Sequence, residues 1–198
     1  MRQLLLATRN AHKTREFSEI LGHGFVVRDL SGEPDAPVIE ETGRTFAENA
    51  ILKAVGISKR FPGLVVADDS GLEVDALGGG PGVYSARYAG PNATDAENIA
   101  LLLSELGKSS QGRPFTARFR CALAVARDGK VLNTVDGVIE GTIVDSPRGS
   151  SGFGYDPVFQ PSGFGQTFGE LSSETKNGIS HRAVAIRALR SVLGESAT

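Results

Sequence analysis

Two aspartates stand side by side, Asp68 and Asp69, behind the apolar run LVVA and ahead of Ser70-Gly71, within VVADDSGLEVDALGGGPGVYSARYAG (65–90). Adjacent like charges repel one another and resist leaving water, so the pair predicts a cation or a proton relay that uses it. Placed at a strand end, with Gly71 permitting a tight turn, both carboxylates would be aimed into a cleft. Glu40 and Glu41 add hard oxygen ligands of the kind Mg²⁺ takes, usually one or two carboxylates with waters and substrate phosphates completing the octahedron. Thr8, Asn10 and Lys13 lie where an apolar run gives way to a helical pattern, and a helix N-terminus beside a lysine seats phosphate. Lys176, His181 and Arg182 surround another helix start and bring further positive charge and donors. Together these residues describe a site for a metal-bound polyphosphate.

Taken singly, most of them have plainer readings. Thr-x-Asn-x-x-Lys is commonplace, with a loop Asn and a solvated Lys as its default. His181-Arg182 is equally read as two polar side chains in solvent at a helix start. Phe153 and Tyr155 fit core or loop packing more readily than a base-stacking platform. The aspartate pair behind an apolar strand is the feature that solvated surface explains least.

Several other chemistries are excluded. Gly107-Lys108-Ser109 ends like a phosphate-binding P-loop, but Leu102 stands where its first glycine belongs. The run Gly78-Gly79-Gly80-Pro81-Gly82 fails the dinucleotide fingerprint, because Val83 and Ser85 occupy the last glycine's sites. Three scattered histidines and a single cysteine argue against zinc. Ser70 lacks a hydrolase elbow, and adjacent aspartates are not the D-x-D of an aspartyl-phosphate phosphatase. Cys121 sits in an alternating apolar pattern and reads as a buried, reduced, structural thiol.

The elements that must position these residues follow from period and capping. Leu4 to Thr8 reads as a strand, and Phe17, Ile20 and Leu21 mark a helix after it. Thr45 with Glu48, and Thr94 with Glu97, are capping boxes opening two further helices, the second stopping at Gly107. From Phe115 the apolar residues alternate, Asp128-Gly129 supplies a turn, and strand character resumes in VLNTVDGVIEGTIV, which predicts a long antiparallel hairpin. Ser180 caps a closing helix carrying Val184, Ile186, Leu189, Val192 and Leu193. The chain therefore reads as α/β, a mixed sheet flanked by helices. Glycine, 25 of 198 residues, clusters at 78–82, 149–154 and 163–169, in loops that let backbone approach a ligand closely. At 198 residues one domain over 1–198 is expected, and a net charge of −2 supplies no field for nucleic acid. No apolar stretch approaches the ~20 residues of a membrane span, and the protein is expected in the cytoplasm.

The segments TRNAHK, EETGRTFAENAILKA, ADDSGLEVDALGGGPGVYSARYAG, GFGYDPVF and SHRAVAIRAL, in order from Thr8 to Leu189, resemble the successive signatures of the inosine triphosphate pyrophosphatase family. The resemblance implies Mg²⁺-dependent hydrolysis of non-canonical purine nucleoside triphosphates such as ITP, dITP and XTP to the monophosphate and pyrophosphate. It implies an elongated, two-lobed α/β domain with a substrate cleft between the lobes, working as a homodimer. It further implies that Asp69 is general base and metal-associated, that Thr8, Arg9, Asn10, Lys13 and Lys53 hold substrate, and that Ser70 contacts it. Phe153, Gly154, Tyr155 and Asp156 would line the nucleoside pocket, with Lys176, His181 and Arg182 completing base and phosphate contacts. The family's metal glutamate corresponds to the Glu40-Glu41 pair, with either one open, and Asp68 is the fourth candidate metal carboxylate. A pyrophosphatase of another nucleotide specificity shares the same phosphate machinery. A non-catalytic nucleotide-binding regulator fits less well, since binding an anion gains little from four negative charges.

Overall fold

A computed structural model of the chain describes residues 2–195 and contains a six-stranded sheet in the order β2-β1-β3-β4-β5-β6. The strands are β1 (Arg2–Leu6), β2 (Phe25–Asp29), β3 (Val65–Val74), β4 (Phe115–Arg127), β5 (Lys130–Ile143) and β6 (Phe159–Pro161). The helices are α1 (Ala11–Leu21), α2 (Phe46–Ser58), α3 (Asp95–Lys108), α4 (Ser173–Ile179) and α5 (His181–Glu195). β1 runs parallel to both β2 and β3, whereas β5 and β6 are antiparallel, so the sheet is mixed as expected.

Local sequence accounts for most of these elements. Both capping boxes form: the Thr45 and Thr94 side chains accept from the Glu48 and Glu97 amides, and each glutamate reaches back to its cap. Asp128 and Gly129 both have positive φ, 50° and 76°, the mirror-image turn whose twist matches a two-residue hairpin between β4 and β5. α3 runs one residue past the expected stop at Gly107 and ends at Lys108, because Gly107 lacks the positive φ that would break the helix.

The chain divides into two compact units. Among the described residues, unit 1 comprises 2–69, 121–137 and 181–195, with a core of Leu4, Leu6, Phe17, Leu21, Val66, Leu123, Val125, Ile186 and Leu189. Here α1 and α5 pack on one another, which explains their apolar stripes. Unit 2 comprises 70–120 and 138–180, and its core joins Leu72, Ile99, Leu102 and Leu106 to a cluster of Phe119, Phe159 and Phe168. The Phe119 ring meets Phe159 edge-on at 4.7 Å between centroids. No helix among the described residues is long and apolar enough to cross a membrane.

Candidate active site

The aspartates are not at a strand end. β3 continues through Gly71 to Val74, so Asp68 and Asp69 lie mid-strand, and no tight turn follows them. Successive strand residues point to opposite faces, which separates the two carboxylates instead of pairing them. Asp68 meets Arg182 and Lys13 while Asp69 meets Lys53, and that corrects the expectation of two like charges awaiting a shared cation.

Asp68 faces α1 and α5. Its Oδ1 accepts from Lys13 Nζ, and its Oδ2 accepts from Arg182 Nε at 2.9 Å and from the Cys121 thiol at 3.2 Å. Arg182, only 2% exposed, also donates from Nη1 to Glu16 Oε2 at 2.5 Å. Burial alone would raise the Asp68 carboxyl, but Arg182 and Lys13 outweigh it and hold the group well below the usual carboxylate range. Burial and the neighbouring Asp68 push the Cys121 thiol far up, so it stays protonated and inert as expected. Asp68 is therefore the centre of a buried ion network, with both oxygens engaged, and is not disposed to ligate a metal. Arg182, expected at the substrate, donates here from Nε to Asp68 and from Nη1 to Glu16.

Asp69 faces α2. Lys53 Nζ donates to Asp69 Oδ1 at 3.0 Å, to Glu41 Oε1 at 2.8 Å and to the Asp68 carbonyl at 2.8 Å, while Asn49 Nδ2 donates to Asp69 Oδ2 at 3.2 Å. Burial raises the Asp69 carboxyl, Lys53 pulls against it and Glu41 adds to it; the net shift is upward from its ordinary value. Of the two glutamates, Glu41 joins this cluster and Glu40 is exposed. No three of His, Cys, Asp and Glu converge into a metal cage among the described residues. A magnesium ion does not require one, because waters and phosphates complete its shell, and the Asp69 and Glu41 carboxylates suit its preference for hard oxygen.

At the start of α1, Asn10 is the N-cap, and its Oδ1 accepts from the His12 amide at 2.9 Å and the Lys13 amide at 3.2 Å. Thr8 Oγ1 accepts from the Asn10 amide at 3.1 Å, and Arg9 donates to the Ala36 carbonyl at 2.9 Å. Thr8 and Asn10 thus shape the turn that presents Lys13. His181 is buried as the first residue of α5, directly before Arg182.

Unit 2 carries the other expected site residues. Lys176 of α4 is buried, donates to Asp156 Oδ2 at 2.5 Å, and lies 5.0 Å over the Phe153 ring and 5.7 Å over Phe168. Asp156 Oδ2 also accepts from the Phe153 amide at 2.9 Å. Gly152, at φ 78°, must be glycine: a Cβ there would run into the Asp156 carboxylate. Tyr155 departs from the pocket-lining expectation. Its ring belongs to the unit 2 core and its hydroxyl donates to the Ser85 carbonyl at 2.8 Å. Ser70 lies half-buried within β3.

Glu16 and Asn49 were not legible as site residues, although each left a trace. Glu16 precedes Phe17 on the core side of α1, and Asn49 falls between Phe46 and Ala50 on the apolar stripe of α2. A polar residue on a buried stripe predicts a buried partner, here Arg182 and Asp69.

The model of the Ham1 family matches residues 4–192 of the chain. A dITP/XTP pyrophosphatase of Geobacillus kaustophilus is 53% identical over 191 residues, 96% of this chain and 93% of the relative. One from Bacillus subtilis is 50% identical over 194 residues, 98% of each chain. Among solved structures, the Ham1 protein of Staphylococcus aureus is 40% identical with a TM-score of 0.85, covering 98% of this chain and 100% of its own. A Ham1 protein from Coxiella burnetii is 42% identical with a TM-score of 0.88 over the same shares. With sequence and fold alike from end to end, the chain belongs to the Ham1 family.

Proposed function

We propose that this chain is a Mg²⁺-dependent nucleoside triphosphate pyrophosphatase for non-canonical purine nucleotides, dITP, ITP and XTP. The observation that carries the reading is the placement of the Asp69 carboxylate, which accepts from Lys53 and Asn49 beside Glu41 and is raised from its ordinary value by burial. A base must take up a proton near neutral pH, and a raised carboxyl does so better than an ordinary one. The names of the relatives support the substrate class.

In this reading Asp69 accepts the proton of the attacking water. The water oxygen bonds to a phosphorus of the α,β-anhydride, the bridging P–O bond breaks, and pyrophosphate leaves beside the monophosphate. Lys53 donates to Asp69 and to Glu41 and is itself fixed by a third bond to the Asp68 carbonyl, while Asn49 fixes the second oxygen of Asp69. Asp69 and Glu41 would hold the metal, which neutralises developing charge on the phosphate oxygens. Thr8, Arg9 and Asn10 shape the turn at α1, and Lys13 brings positive charge to the polyphosphate. Phe153 offers a face to the purine, and Lys176 places donors beside it. A 6-oxo purine accepts there, whereas the 6-amino group of adenine meets donor with donor. Asp156 locks both residues, and His181 stands at the head of α5 beside the Asp68 network. The whole chain acts as one catalytic domain, in a cytoplasmic homodimer.

The test is turnover across a nucleoside triphosphate panel with and without Mg²⁺. dITP and XTP should be preferred to dATP by about 10²-fold or more, and exhaustive chelation should abolish activity in a manner that Mg²⁺ restores. Equal rates on dATP would reject the specificity, and full activity after chelation would reject the metal.

A further inference from the structure

The loop that carries Phe153 is fastened to a residue outside the site. Residues 147–154, PRGSSGFG, offer little side chain for packing, and a cavity of about 520 Å³ lined by this loop and by Ile99, Ala100 and Leu103 lies alongside α3. The loop is held by backbone polar groups: the Ser151 amide donates to the Gly169 carbonyl at 2.9 Å and the Phe153 amide to Asp156 Oδ2 at 2.9 Å. At the next residue the Gly154 amide donates to Asp95 Oδ2 at 2.6 Å. Asp95 is the first residue of α3, directly after the Thr94 cap, so its carboxylate is carried on a rigid element. Gly154 has φ 60°, a left-handed conformation that turns its N–H toward that carboxylate at little steric cost. Asp95 and Asp156 thus grip consecutive amides on either side of the Phe153 side chain.

We infer that Asp95 is a positioning residue for nucleoside binding: by holding the Gly154 amide it fixes the Phe153 ring against which the purine packs. This rests on the proposed nucleoside role of Phe153. A ring set by two anchored amides is pre-organised, and losing one anchor charges the ordering of the loop to substrate binding and not to the chemical step. Asp95→Ala should therefore raise KM for dITP roughly tenfold with kcat within about twofold, a change of about 1.4 kcal/mol in apparent binding. Asp95→Asn keeps an acceptor oxygen and should restore most of the affinity.

Asp95 also places an acid in the first turn of α3, so loss of helix stability must be separated from loss of the latch. Glu97→Ala breaks the capping box of the same helix and leaves the latch intact; it should lower Tm without moving KM. Amide hydrogen exchange of the 150–155 segment is read in parallel and needs no substrate. Asp95→Ala should speed it roughly tenfold, Asp95→Asn less, and Glu97→Ala not at all. Unchanged exchange in Asp95→Ala, or unchanged KM in an active enzyme, overturns the inference. A wild-type protein inactive on every nucleotide overturns the proposed function instead, while the exchange result still decides whether the latch holds the loop.

Discussion

Asp69→Asn is expected to lower turnover by at least the ~10²- to 10⁴-fold attributed to a positioned general base, and by more if a metal contact goes with it. The substitution keeps the shape of the side chain but removes its charge and its ability to take a proton. Stability should move the other way. The fold favours the protonated Asp69 carboxyl, so the ionised group costs stability as pH rises from the ordinary carboxylate pKa through the raised one. Above that raised value the cost is fully present, and asparagine removes it. Lys53 is not left bare, because Glu41 and the Asp68 carbonyl still accept from it. The melting temperature of the metal-free variant should therefore match or slightly exceed that of the wild type. Near-normal turnover would reject Asp69 as base; lost turnover with a large fall in Tm would make the residue structural.

Arg182→Met should give the reverse pattern, a protein damaged first in stability. The guanidinium is fully buried between Asp68 and Glu16, and removing one partner of a buried ion pair costs about 3–5 kcal/mol because the others stay buried without it. For a chain of this size that is a fall of roughly 6–20 °C in Tm. The acid limb moves as well. Asp68, held low by Arg182 and Lys13, contributes stability that is present above the ordinary carboxylate pKa and lost as pH falls through its depressed value. Without Arg182 that value rises, so acid unfolding should begin at higher pH. A double-mutant cycle with Glu16→Gln should show coupling of about 0.5–3 kcal/mol, since both residues belong to one network. A variant with unchanged Tm and only a raised KM would instead place Arg182 at the substrate.

These two residues also mark where the sequence was legible. Capping boxes at Thr45 and Thr94, the Asp128-Gly129 turn and the apolar periods located α2, α3, the β4–β5 hairpin and α5, because their causes are local. β2, β6 and α4 went unread. β2 has no buried residue and no alternation strong enough to mark it, and β6 and α4 are too short to show a period. The composition of the site was visible as charged residues around apolar runs, but its pairing was not. Which cation meets Asp68 and which meets Asp69 depends on strand alternation and on α1, α2 and α5 packing beside β3, contacts that join residues far apart in the chain. Tyr155 shows the reverse: its residue type fits core packing, the family resemblance implies the pocket, and its ring lies in the core.

Cleavage between the α- and β-phosphates is read from product stoichiometry on dITP with Mg²⁺. Nucleotide products are followed by chromatography, with pyrophosphate and orthophosphate assayed separately at early times. The expected result is dIMP and pyrophosphate appearing at equal rates from the first turnover, with no diphosphate intermediate. Orthophosphate as the primary product, with dIDP accumulating, would contradict it.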